Sequence, residues 1–217
     1  MKLAVKAGLL LILGFFSVLM IRITLPYLAF DDHVAFLRIK QWIIHNPVWK
    51  SAFYIHVTTS SFCLIAGFTQ FSKTLRTRLP AIHRYAGWLY ASVIILFAGP
   101  SGFIMSLYAN GGLLSQTAFT TLSLLWIFFT IQAFRFVKQG NFMAHRNYMI
   151  RSFALTLSAI TLRAWKFVIV LAFRPQPMDA YMLVAWLGWV PNLLVAEWYI
   201  RKGVHAYFKK KRHPNLV

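Results

Sequence analysis

A chain of 217 residues that is 59% hydrophobic and 12% charged, with a mean hydropathy of +0.61, carries too little polar surface to cover a soluble globule. Its net charge of +19 is gathered at the ends of apolar runs rather than spread over a water-exposed face, which excludes nucleic acid as a partner and points to membrane lipids. Cys63 is the single cysteine, so an intrachain disulfide and multi-cysteine metal or cluster sites are excluded.

A membrane span needs about 20 mainly apolar residues, because a helix rises about 1.5 Å per residue and the hydrocarbon core is about 30 Å thick. Six stretches qualify, at 9–28, 52–71, 85–107, 114–137, 148–173 and 180–200. The fold class is therefore an all-α integral membrane protein, a bundle of about six transmembrane helices forming one membrane domain over residues 1–217. The first stretch follows Lys2 and Lys6, as a signal peptide would. It lacks a small-x-small cleavage pattern and continues through Arg22 and Pro26, so it reads as a retained anchor.

Orientation follows from the Lys and Arg residues of the connections. With the N-terminus inside, sixteen of the 23 fall on the inner side and four (Arg38, Lys40, Lys50, Arg174) on the outer side. Three (Arg22, Arg163, Lys166) remain at membrane depth. The positive-inside rule then puts both termini in the cytoplasm, and the Lys209–Arg212 tail reads as a surface anchor. Apart from the outer stretch 29–51, the connections are short, so function lies within the bundle or on its two faces.

The second and third helices join through Gln70 and His83-Arg84, and the fourth and fifth through Gln132 and His145-Arg146. The separation from Gln to His is 13 in both (83−70 and 145−132). This spacing suggests two duplicated hairpins closing on the cytoplasmic side. It also puts His83 and His145 at one depth, each at a helix start, where the positive helix end favours the neutral imidazole that ligates metal. Two facing rings suit a haem b, and Arg84, Arg146 and Arg151 are candidate partners for its propionates. The competing reading is that His-Arg is an ordinary interfacial pair that binds lipid phosphate or caps the hairpin.

His56 lies inside the outer end of the second helix, where an unpaired polar side chain is costly, so a partner is expected. Depth nominates Arg163 and Lys166 on the fifth helix. No second histidine sits at that depth within a helix; His33 and His45 belong to the outer connection. Arg151 and Glu197 match in depth near the inner ends of the fifth and sixth helices, which predicts an ion pair. Arg163 has no acidic residue at its level. Carbonyls freed by Pro191, or an anionic or quinone-like ligand, are its candidate partners, and Asn192 is a further polar residue in the same pair of helices. Gly99-Pro100-Ser101-Gly102 marks a bend in the third helix. No phosphate-binding loop, nucleophile motif or carboxylate pair occurs, and no catalytic residue is identified.

The strings His83-Arg84-Tyr85-Ala86-Gly87-Trp88-Leu89-Tyr90, His145 to Thr156, Thr161-Leu162-Arg163 and Val184 to Glu197 together resemble a bacterial family of predicted membrane proteins catalogued as domain of unknown function 2306. The resemblance runs from about the second helix to the sixth, and it departs at Trp88, where a basic residue is expected after the glycine. It implies an all-helical bundle in the bacterial inner membrane and no established activity. Haem-binding or redox association is the leading functional expectation. A non-redox lipid-handling or small-solute transport protein, or an accessory membrane subunit, is the alternative.

Overall fold

The computed structural model describes residues 3–71 and 73–212. The side chains of Lys2, Lys6, Lys73 and the 209–212 cluster, which entered the charge count, lie outside the described ones. Among the described residues every regular element is helical: α1 (Leu3–Thr24), α2 (Pro47–Gln70), α3 (Lys73–Arg78), α4 (Pro80–Val93), α5 (Gly99–Ser106), α6 (Gly112–Lys138), α7 (Phe142–Thr156), α8 (Ser158–Phe173), α9 (Pro177–Leu187) and α10 (Val190–Arg212). Successive helices combine into four that are long and apolar enough to cross a membrane: Pro80–Ser106, Gly112–Lys138, Phe142–Phe173 and Pro177–Gly203.

Helix starts follow the local chemistry. Asn46 opens α2 by accepting from the backbone N–H groups of Val48 (2.9 Å) and Trp49 (3.1 Å), and Pro47 supplies a first residue that needs no donor. Asn141 opens α7 in the same way, accepting from Ala144 at 3.0 Å. Pro80 opens α4. Helices thus begin earlier than hydropathy indicates, among them at Pro47 instead of 52, at Pro80 instead of 85 and at Phe142 instead of 148, because a cap or a proline sets the start while apolar content sets only the membrane-immersed part.

The expected bend at Gly99-Pro100 is a π segment over Ile94–Ala98, in which the Gly99 N–H reaches back to the Ile94 carbonyl. Pro100 has no N–H to give and its ring crowds the preceding turn, so the helix widens by one residue ahead of it. A second break separates α9 from α10 at Gly188-Trp189, just before Pro191. Gly188 is needed there for contact: a Cβ at this position would stand 2.9 Å from that of Leu162, so only glycine lets α9 approach α8 so closely.

The main core lies between α2, α4, α6, α7 and the break before α10, and it includes Cys63, Tyr90, Ile94, Trp126, Leu155 and Trp189. Outward faces are apolar, with Leu113, Phe167, Leu171 and Phe173 all well exposed, as lipid contact requires. The stretch 29–51 is more than a connection. It folds into a cap, with 3-10 turns at Leu25–Ala29 and Ala35–Lys40 and a core of Tyr27, Leu37, Ile44, Trp49 and Phe53. Hence the molecule has a cap end and, opposite it, a turn end where α2 passes to α4 and α6 to α7.

Candidate functional site

The two hairpins meet the turn end in the same way. His83 is the fourth residue of α4 and His145 the fourth of α7, and each N–H makes the first backbone bond of its helix, to Leu79 and to Asn141. Each hairpin is also tied across its turn at this level. Gln70 Nε2 donates to the His83 carbonyl (3.4 Å), and His145 Nδ1 donates to the Ala133 carbonyl (2.8 Å). Gly87 makes room for the first tie, since a Cβ there would lie 2.9 Å from Gln70 Oε1.

Seven residues further on, about two turns, each helix carries a hydroxyl: Tyr90 on α4 (90−83) and Ser152 on α7 (152−145). These two side chains exchange a hydrogen bond of 2.8 Å. Residues seven apart share a helix face, so the Tyr90–Ser152 bond between α4 and α7 puts the two imidazoles at one level, about two turns away at the turn end. His145 is correspondingly close enough to act on the charge of His83, as is Arg76. The His83 Nδ1 is buried and has no hydrogen-bond partner among the described residues.

Beneath the histidines the hydroxyls continue into a closed network. Tyr90 also bonds Thr156 (2.8 Å), Trp126 Nε1 donates to Thr156 (3.0 Å), and Thr130 bonds both Ser152 (2.7 Å) and the Trp126 carbonyl (2.7 Å). Tyr90, Thr130, Ser152 and Thr156 are all buried. Every donor has an acceptor, which is the condition under which buried polar groups rigidify a core instead of costing stability. None of these five residues was singled out for a role in the sequence, although the shared offset of seven from the two histidines is a signal that could have found Tyr90 and Ser152.

The arginines divide differently from expectation. Arg151 makes the predicted ion pair, with its Nε and Nη2 on the two Glu197 oxygens at 2.5 and 2.9 Å and its guanidinium over the Tyr148 ring at 5.0 Å. Arg146 leans on α10, with Nη2 3.4 Å from the Tyr199 hydroxyl. Arg84 is exposed and makes no hydrogen bond or ion pair among the described residues. Arg76, which the sequence did not single out, is the guanidinium that acts on His83.

In the other half of the molecule, His56 Nδ1 donates to the Ala98 carbonyl (2.8 Å) at the end of the π segment, so its bonded partner is backbone instead of either cation. The charge of Arg163 nevertheless reaches the ring. Arg163 Nη1 donates to the Ala159 carbonyl of its own helix (2.6 Å), whereas the carbonyl nominated for it was that of Leu187, freed by Pro191; the neighbouring Gly188 O accepts from Thr161 Oγ1 and from Asn192 Nδ2 (3.2 Å). Asn192 further bonds Thr161 Oγ1 (2.9 Å) and the Ala154 carbonyl (3.2 Å), locking α10 to the α7–α8 junction.

A family model of predicted membrane proteins, DUF2306, matches residues 53–200. The chain belongs to that family. The match takes in both histidines, the hydroxyl network and the Arg151–Glu197 pair, and it leaves α1 and most of the cap outside. This DUF2306 protein is a multi-pass helical membrane protein with four long apolar helices among its described residues. No curated protein and no solved structure matches it.

Proposed function

We propose that this DUF2306 protein is a six-span bundle of the bacterial inner membrane, with both termini in the cytoplasm, that holds a b-type haem at its turn end between His83 and His145. Two further spans are supported by α1 and α2, whose 22 and 24 residues reach about 33 and 36 Å, enough for the hydrocarbon core. The excess of sixteen Lys and Arg over four supports the orientation.

One observation supports the cofactor reading: α4 and α7, joined by the Tyr90–Ser152 bond, each carry an imidazole seven residues away, at the same level of the turn end. The bond from His145 Nδ1 to the Ala133 carbonyl leaves the Nε2 lone pair of that ring for a metal, the usual outer support of a ligating histidine. His83 keeps a buried ring nitrogen that no described protein group satisfies. Arg76 adds positive charge without a carboxylate beside it, suited to a propionate. Bound iron would supply one-electron chemistry; the protein's part is to hold both rings neutral and oriented.

The test is the absorption spectrum of the full chain, expressed with haem available and purified in detergent. A Soret band present in the wild type and lost in His83→Ala and in His145→Ala is the expected result. A colourless wild type, or a band that survives both substitutions, overturns the reading.

A further inference from the structure

Arg163 lies ten residues from Phe173, the cap-end terminus of α8, which is about 15 Å along the axis and near the middle of a membrane about 30 Å thick. A guanidinium stays charged at that depth and is too far in to snorkel fully to either surface. Among the described residues its one hydrogen bond runs from Nη1 to the Ala159 carbonyl of its own helix (2.6 Å), and the residue is exposed. No acid neutralises it. Of the four in the chain, Asp31 accepts from the His33 N–H, Asp32 pairs with Lys50, Glu197 pairs with Arg151, and Asp179 belongs to the first turn of α9.

The surroundings of Arg163 are polar on one side and apolar on the other. Its charge acts on His56, and the Tyr27 oxygen acts on it in turn. The Tyr27 hydroxyl accepts from the Phe36 N–H (3.2 Å), which leaves its own proton free to donate. Gly102 holds open the space for the His56 ring, since a Cβ there would stand 3.0 Å from Cε1. One turn below, Ile160 packs with Met20 and Leu64, so α1, α2 and α8 converge on an apolar floor. Donors and a fixed positive charge above an apolar floor, open to the lipid side, suit an oxyanion attached to an acyl chain.

We infer that Arg163, with Tyr27, binds the acidic head of an amphiphile, a carboxylate or phosphate carried on an acyl chain that enters from the bilayer. The inference stands on residues remote from His83 and His145 and does not depend on the haem reading. The experiment uses the full chain in neutral detergent and follows the fluorescence of cis-parinaric acid, a polyene fatty acid. Saturable binding is expected, displaced by oleate and not by its neutral methyl ester. Losing a charge-assisted bond predicts about 10- to 100-fold weaker binding in Arg163→Gln. Lys166→Gln, which removes the neighbouring cation, should bind like wild type, and Tyr27→Phe, a milder change, should weaken binding by a few-fold. Displacement by dioctanoyl phosphatidylglycerol as well as oleate assigns the site to bilayer phospholipid; displacement by oleate alone assigns it to free fatty acid. Either supports the site. Absence of saturable binding to wild type, equal displacement by methyl oleate, displacement by inorganic phosphate alone, or unchanged affinity in Arg163→Gln overturns it.

Discussion

Replacing Glu197 by Gln isolates the contribution of the ion pair between α7 and α10. The carboxylate takes two guanidinium bonds, at 2.5 and 2.9 Å, and the side chains of Arg151 and Glu197 are 20% and 31% exposed. Removing one partner of a fully buried pair costs about 3–5 kcal/mol, because the other charge is left uncompensated. The residual exposure reduces this to about 2–3 kcal/mol, since an exposed pair contributes little. The Tyr148 face, 5.0 Å from the guanidinium, recovers part of the loss without replacing the carboxylate. For a chain of this size the change corresponds to a fall in melting temperature of about 4–10 °C in detergent. Arg151→Met combined with Glu197→Met removes both charges, so its loss should be well below the sum of the two single substitutions. A single variant that melts within about 1 °C of wild type, or strictly additive losses, refutes the pairing as a stabilising contact.

Three further outcomes follow from named contacts. Tyr90→Phe withdraws the hydroxyl shared by Ser152 and Thr156 and should lower stability by about 1–2 kcal/mol, read from thermal unfolding in detergent; an unchanged melting point contradicts the network. Gly102→Ala pushes a methyl group against the His56 ring and should destabilise by about 1–3 kcal/mol, checked by the same scan. Lys40 is 1% exposed in the cap, where Nζ donates to the Tyr108 carbonyl and to Asn110 Oδ1 (2.7 Å), and burial pushes its pKa down from 10.5 to about 8. Between these values the unfolded chain binds more protons than the folded one, so this group adds stability as pH rises through about 8 and continues to do so up to about 10.5. Wild type should therefore gain stability over that window relative to Lys40→Met, and parallel pH profiles for the two proteins refute the assignment.

The features legible in the sequence are those that depend on position along a helix. A fixed rise per residue turns counting into depth, so the match of Arg151 with Glu197 and the equivalence of His83 with His145 could be read directly. Rotation about the helix axis is a different matter, because residues all around a lipid-facing helix are apolar and leave little periodic signal. The Tyr90 network, the turn of Arg146 toward Tyr199 and the capture of the Gly188 carbonyl by Thr161 and Asn192 all depend on that rotation. The π segment was legible only as a bend, since Pro100 marks a disturbance without specifying which carbonyl is released to His56. Lys40 escaped notice because a lone cation in a connection reads as solvated, whereas Phe36, Trp42 and Trp49 enclose it.

The central claim is that His83 on α4 and His145 on α7 would together hold a haem, and the spin state of the bound iron tests it most directly. Electron paramagnetic resonance of the oxidised, purified full chain should show low-spin ferric haem, converted to high-spin or lost when either histidine is replaced by alanine. A wild-type protein without haem iron, or a low-spin signal indifferent to both substitutions, would contradict the claim.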